Sequence, residues 1–229
     1  MPEDRRYSLN HFATLRLQPA FWRLPAAERR QRVTETVEAL KAGTQALHLY
    51  QSHPIDVGVD LLLWSASEVA SSEVPRDFFP AWGKALRPLR PFVEIPHVLW
   101  GFTRPSQYSK AKSSQEIEPF TTERSSYLIM YPFTKTAEWY LLDQETRQKM
   151  MNEHMRIGKQ YRSIAQLLLY SFGLQDQEFV VVYETEDLQL FSQLVYDLRA
   201  TEARKYTQGD TPLHTGVYRS LDGVLDFVG

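Results

Sequence analysis

The sequence contains no cysteine among its 229 residues. That absence removes disulfides, thiolate metal ligands and cysteine nucleophiles, and it fits a reducing compartment. No apolar run is long enough to cross a bilayer. The opening MPEDRRYSLNHF is polar and charged and lacks the apolar stretch of a secretory leader. These two features predict a cytoplasmic protein with no membrane association. Charge of one sign is also scarce: the formal net charge is -2, which gives no general attraction to nucleic acid. The nucleotide-binding, zinc-protease and serine-hydrolase motifs GxGxxG, GxxxxGK[ST], HExxH and GxSxG are missing.

What is present is a repeat. FWRLPAAERRQRV (21–33) resembles EWYLLDQETRQKM (138–150). Trp22 falls on Trp139, Leu24 on Leu141, Glu28 on Glu145, Arg30 on Arg147 and Gln31 on Gln148, all at an offset of 117 residues. Each half reads in the same order. In the first, strands are predicted near 10–17, 45–51, 59–65 and 92–102, with helices near 26–41 and 76–86. In the second, strands are predicted near 126–133, 164–172, 178–184 and 213–218, with helices near 144–161 and 188–199. The order β-α-β-β-α-β, twice, predicts an α+β protein made of two ferredoxin-like halves. A ferredoxin-like sheet carries helices on one face only. The other face needs a cover, and the sheet of the twin half supplies one, as a sandwich or a barrel. The predicted division is a first half over 1–104, a linker or lid over 105–125 and a second half over 126–229.

The linker is long and polar and holds Lys110, Lys112 and Arg124, a candidate anion-contacting lid or simply a solvated connection. The predicted helix 144–161 places Met150, Met151, His154, Ile157, Gly158 and Tyr161 on one face. A histidine in such a stripe is usually a satisfied core residue. The glycine one turn along leaves room for a flat ligand, and single-histidine ligation of a haem iron fits the pattern. No second histidine stands at i+4 and no CxxCH is present, so zinc and covalent haem are poorly supported. Tyr131 ends a strand at Pro132, with the Lys135 ammonium four residues on; a phenol beside a cation suits one-electron oxidation or proton transfer. Gln166 is the polar residue of an otherwise apolar strand, and a buried glutamine needs partners. RATEARKY (199–206) gathers three positive charges and Glu202, either a solvated helix end or a carboxylate clamp.

The segment YPFTKTAEWYLLDQETRQKMMNEHMRIGKQY, with FGLQDQEFVVVYETEDL and LRATEAR, resembles the chlorite dismutase superfamily, and within it the coproheme decarboxylases. The resemblance implies a duplicated ferredoxin-like fold of the dimeric α+β barrel type and a homo-oligomer, usually a pentamer. It implies that His154 is the proximal ligand of a haem or coproheme iron and that Tyr131 is the redox tyrosine, where chlorite dismutases are aliphatic. Lys135 then meets a propionate, and Trp139 belongs to the porphyrin site. Gln166 stands for a distal glutamine, although the stretch from Tyr161 to Gly173 is one residue short. Glu202 stands for the carboxylate behind the proximal histidine, and Lys112 or Arg124 for a further propionate partner. The implied reaction is peroxide-dependent oxidative decarboxylation of two propionates of iron coproporphyrin III to give haem b through a tyrosyl radical. The alternatives are a haem b-binding peroxidase, a chlorite dismutase-like enzyme, a non-catalytic haem-binding or haem-transfer protein, and a barrel with no haem.

Overall fold

The computed structural model describes residues 7–108 and 113–229. The first half runs β1 (Ser8–Leu17), α1 (Pro19–Trp22), α2 (Ala26–Gly43), β2 (Ala46–Gln51), β3 (Leu61–Glu68), α3 (Glu73–Ala85), β4 (Val93–Glu94) and β5 (Val98–Phe102). The second runs β6 (Tyr127–Lys135), α4 (Ala137–Leu141), α5 (Gln144–Gly158), β7 (Ala165–Tyr170), β8 (Phe179–Thr185) and α6 (Leu188–Arg199). It continues through a 3₁₀ turn (Glu202–Tyr206) to β9 (Thr207–Gly209), β10 (His214–Arg219) and α7 (Leu221–Val228). Side-chain caps start several of these helices: the Asp143 carboxylate accepts from the Thr146 N–H, and the Asp187 carboxylate from the Gln189 and Leu190 N–H groups.

The sheet order is β10-β2-β3-β1-β5-β7-β8-β6, and β6 pairs again with β10, so the strands close into a barrel. Within each half the order is that of a ferredoxin-like sheet. The last strand of each half then pairs with the second strand of the other: β5 with β7, and β10 with β2. Both seams rest on a glycine. A Cβ on Gly101 would lie 2.7 Å from the Tyr170 carbonyl oxygen, and one on Gly216 would lie 2.7 Å from the Tyr50 Cβ. No other residue lets the backbones approach so closely. The expectation of twin sheets covering one another holds, in its barrel form.

Strand alternation sorts the core into layers. Phe12, Tyr50, Leu62, Trp64, Leu128 and Met130 fill the barrel. Their neighbours along the strands point outward under the helices. Leu15, Leu61 and Leu63 meet Val33, Val37, Leu40 and Phe78 in the first half. Ile129, Val181 and Tyr183 meet Phe191 and Leu194 in the second. The helix α7, which the strand-by-strand reading did not anticipate, returns the chain to the first half. Val224 and Val228 join its core, and Arg29 donates to the carbonyl oxygens of Val228 and Gly229 at 2.6 and 2.9 Å.

The described part of the linker is tied down. Ile117 belongs to the barrel core, and the Ile117 N–H donates to the Gln166 carbonyl oxygen at 3.0 Å. Arg124 is buried over the Trp64 ring, its guanidinium 5.3 Å from the centroid and 3.4 Å from the Glu184 carboxylate. Burial pushes the Glu184 carboxyl above its ordinary range while Arg124 opposes the shift. Arg124 is therefore a barrel-sealing residue and not the ligand partner the sequence suggested. Removing either member of such a buried pair strands a charge, at a cost of about 3–5 kcal/mol.

Candidate active site

The site lies on the outward face of the second half's sheet. Cross-strand register sets its floor in rows: Tyr131–Val181–Leu168 and Phe133–Phe179–Tyr170. A third row, Ile129–Tyr183–Gln166, is roofed by α6, whose Phe191 ring sits 5.1 Å from that of Tyr183. The first two rows are left partly open. Leu168 is 37% exposed and Phe172, beside them, 43%. The Phe133 and Phe179 rings stack 4.6 Å apart, and Tyr170 and Phe172 meet Phe179 edge-on. The result is a flat apolar floor with Tyr131 on it.

The helix α5 has no fully buried residue along its length. It packs chiefly against α6 and the 3₁₀ turn. Met150, His154 and Ile157 are only half-buried. A Cβ on Gly158 would meet nothing within 4 Å. The His154 Nδ1 is buried and makes no hydrogen bond. Burial, and then the Lys135 ammonium nearby, lower its pKa to about 4, so the imidazole is neutral and its lone pair free at neutral pH.

Lys135 closes one side. Its Nζ donates to the Ala203 carbonyl oxygen at 3.1 Å and the Thr207 hydroxyl at 3.3 Å, and lies 4.6 Å from the centroid of the buried Trp139 ring. Burial, helped by the Arg204 charge, lowers its pKa to about 8. An ammonium so desolvated gains most from an incoming anion. Tyr131 stacks with Tyr183 at 6.2 Å, and burial raises its pKa, so the phenol keeps its proton.

The fold thus brings Lys135 against Trp139 and close enough to His154 to act on its charge, at the end of the strand that carries Tyr131. Gln166 shares the face but sits one row away from Tyr131, exposed and not buried. Its backbone is occupied by the linker: the Gln166 N–H donates to the Gln115 carbonyl oxygen at 2.7 Å. The residue in line with Tyr131 is Leu168. Glu202 does not stand behind His154; its carboxylate is exposed and receives the Lys205 ammonium at 2.8 and 2.9 Å. Lys112 and Lys110 lie outside the described residues. The floor residues Phe133, Tyr170 and Phe179 escaped the sequence reading. Period-2 alternation from Tyr131 marks Phe133 and Lys135 as its face-mates, but register across strands is invisible in one sequence.

A slot with a flat apolar floor, a neutral unpartnered histidine above it and a cation at its lip suits a planar anionic ligand held through a central metal. Comparison with known proteins defines the class. The family model for chlorite dismutase matches residues 23–219, and the chain belongs to that family. Among characterised relatives, the coproheme decarboxylase of Mycolicibacterium smegmatis is 33% identical over 124 residues, 53% of this chain. The match spans 52%, about half, of that relative's length. Among solved structures, a variant of the chlorite dismutase from Candidatus Nitrospira defluvii superposes with a TM-score of 0.82 at 23% identity, covering 96% of this chain and 95% of the other. The same bacterium's enzyme in complex with imidazole also gives 0.82, at 24% identity, covering 96% and 94%. At this identity the structures establish the fold. No helix among the described residues is long and apolar enough to cross a membrane.

Proposed function

We propose that this chain removes the carboxyl groups of two propionates of iron coproporphyrin III, with peroxide as oxidant, to give haem b. For each propionic acid side chain, the carboxylic acid and one hydrogen peroxide yield a vinyl group, carbon dioxide and two waters. The observation that carries the reading is a neutral histidine on α5, His154, whose buried Nδ1 makes no hydrogen bond, close to the desolvated Lys135 ammonium that ends the strand bearing Tyr131. The relative named coproheme decarboxylase supports it.

The residues fit an iron porphyrin. His154 has a buried, unbonded Nδ1, and its neutral imidazole would be the donor to iron. Iron coproporphyrin is the substrate and, with peroxide, supplies the oxidising power. Tyr131 gives up its phenolic proton and one electron, and the resulting tyrosyl oxygen removes a hydrogen atom from the propionate carbon next to the ring; loss of carbon dioxide and of one further electron to the oxidant then leaves the vinyl group. Holding the phenol protonated until that moment is what its buried setting does. Lys135 takes the propionate carboxylate in a charge-assisted bond and orients the chain toward Tyr131. Trp139 backs Lys135 and limits where its ammonium can go. Gln166 and the linker strand beside it border the open end. A homo-oligomer, a pentamer by family resemblance, and a cytoplasmic setting belong to the same reading.

The test is titration with ferric coproporphyrin III, then peroxide, with products weighed by mass spectrometry. Loss of two carboxyl groups is expected, and a Tyr131→Phe variant should bind the porphyrin yet convert it at least 100-fold more slowly, about 2.7 kcal/mol in the barrier. Wild-type turnover in that variant removes the assigned role of Tyr131. Bleaching without carbon dioxide loss identifies a peroxidase; absence of a Soret shift identifies a protein without haem.

A further inference from the structure

We propose that Tyr183 is a second redox tyrosine, which takes the unpaired electron from Tyr131 and holds it while no propionate carbon is in reach. The inference rests on the porphyrin reading above and adds to it a residue that acts only through Tyr131.

The placement comes from strand register. Tyr131 pairs with Val181 and Ile129 with Tyr183, so the two tyrosines are diagonal neighbours on one face of the sheet. Their rings lie 6.2 Å apart between centroids and only 29° from parallel. β8 is paired on both sides, with β6 and β7, which fixes the backbone of Tyr183. Tyr131 is half-buried, whereas Tyr183 is 6% exposed. Beyond Tyr183 the ring contact is with Phe191, 5.1 Å away, which a phenoxyl radical does not oxidise. Among the described residues the stack therefore runs from Tyr131 inward and stops at Tyr183.

Packing alone does not ask for a phenol at this position. The residues that enclose the ring, Ile129, Ile164, Val181, Phe191 and Leu194, are hydrocarbon, and phenylalanine would fill the same space. A buried hydroxyl costs free energy unless it finds a partner. Burial raises the pKa of both phenols; the Tyr131 phenol then raises that of Tyr183 further, while the Tyr183 hydroxyl lowers that of Tyr131, as a hydrogen-bond donor does. Tyr183 is therefore the donor of the pair and the Tyr131 oxygen the acceptor. That direction suits a hydrogen-atom transfer. Tyr131 first loses one electron and its proton to peroxide, through the bound substrate, and the hydrogen leaves in water. The Tyr183 O–H bond then breaks and a Tyr131 O–H bond forms, so that Tyr131–O• and Tyr183–OH become Tyr131–OH and Tyr183–O•. One O–H bond replaces another, and no further oxidant is consumed. The reverse transfer restores the radical on Tyr131 when a propionate carbon arrives. Held on Tyr183, the unpaired electron is enclosed under α6, away from the open part of the floor. Tyr183 is a positioning residue, since it reaches the substrate only through Tyr131.

The test reads the radical directly. Protein loaded with ferric coproporphyrin III, or with ferric haem b, which on this reading has no propionate left to react, is mixed with peroxide, frozen at set times and measured by electron paramagnetic resonance. The wild-type protein should show a tyrosyl signal that lasts longer with haem b than with coproporphyrin. Tyr183→Phe should keep the melting temperature and the optical titration with ferric coproporphyrin, and should shorten the life of the haem b signal roughly tenfold, the size of one lost hydrogen bond. Tyr131→Phe should remove the signal altogether, because Tyr183 is reached through Tyr131. Tyr196→Phe, at a tyrosine 74% exposed on the surface, should change nothing. An unchanged signal in Tyr183→Phe, or an equal loss in Tyr196→Phe, overturns the second tyrosine alone, even if coproheme is decarboxylated. A signal that survives in Tyr131→Phe overturns the transfer between the two. Absence of any tyrosyl signal in the wild-type protein overturns the second tyrosine together with the radical role of Tyr131. A signal that depends on both tyrosines without loss of carbon dioxide upholds the pair and overturns the decarboxylase reading.

Discussion

The two halves of the barrel share a fold and differ in what their first long helices do. In the first half, Val33, Val37 and Leu40 of α2 are 1, 3 and 1% exposed and seal the helix to its sheet. At the same offset of 117 residues, α5 carries Met150, His154 and Ile157, all half-buried, and no residue of that helix is fully enclosed. On the strand below, Thr14 is fully buried, and its hydroxyl accepts from the His97 N–H at 2.9 Å and donates to the His97 carbonyl oxygen at 3.2 Å. Its counterpart Tyr131 lies on an open floor. In the first half His11 also has a buried, unbonded Nδ1, but Phe78, Phe79 and Trp82 wrap it, with ring centroids 4.7 to 6.0 Å away, whereas the helix that carries His154 has no fully buried residue. A duplicated fold needs its helix sealed only once for each sheet. Where sealing is withheld, the uncovered apolar face is available for a ligand.

The sharpest way to break this comparison is to truncate both members of a pair. His154→Ala should abolish the spectral shift of added ferric coproporphyrin while the protein still unfolds near the wild-type temperature. Val37→Ala should do the reverse, costing about 2 kcal/mol of stability and leaving the spectrum intact. Optical titration and denaturant melts separate the two outcomes, and a spectral loss in Val37→Ala would erase the division of labour.

Glycines give a second, smaller contrast. Gly216→Val places a branched side chain where even a Cβ meets Tyr50 Cβ at 2.7 Å, so the seam must open. A loss of about 1–3 kcal/mol is expected, read as a drop in Tm. Gly158→Ala meets open space and should raise helix stability by up to about 1 kcal/mol. Under the proposed reading the porphyrin occupies that space, and its binding should weaken several-fold. Unchanged binding would show that the ligand does not approach this turn of α5.

A third contrast is in pH dependence. Burial lowers the pKa of His11 to about 4. The unfolded chain therefore binds the proton first as pH falls below about 6.5, the usual histidine value. The stability contributed by the neutral ring is complete above that pH and is lost as the pH falls toward 4. His11→Phe should flatten this part of the curve, by on the order of 2 kcal/mol between pH 7 and 5. Urea melts at the two pH values test it, and parallel slopes for both proteins would exclude His11 as a source.

Much of the fold was legible because its signals are local. Continuous apolar, β-branched and aromatic runs in LLLWSASE and FVVVYET mark strands, and the face of α5 follows from helical spacing alone. The helix α7 had a readable start in Ser220, whose hydroxyl accepts from the Gly223 N–H at 3.2 Å, and an apolar face in Leu221, Val224, Leu225 and Val228. What it packs on, α2, is almost the whole chain away. The site divided in the same manner. Tyr131, Lys135 and Trp139 lie on one strand-to-helix segment, so their clustering was visible in sequence. Gln166, Glu202 and Arg124 depended on register, on a gap and on what the linker does, and each stands elsewhere than the spacing suggested.

The sequence by itself determined that this protein is built twice and that the copies part company at Thr14 against Tyr131 and Val37 against His154. Those facts need only the covalent order of residues and the short-range geometry of strands and helices. Only the tertiary structure decided that the halves join through Gly101 and Gly216, that Arg124 seals the barrel, and that Arg199 and Arg204 converge on Asp210. These depend on contacts between residues far apart in the chain, which arise when apolar surface is buried as a whole. No local pattern encodes them.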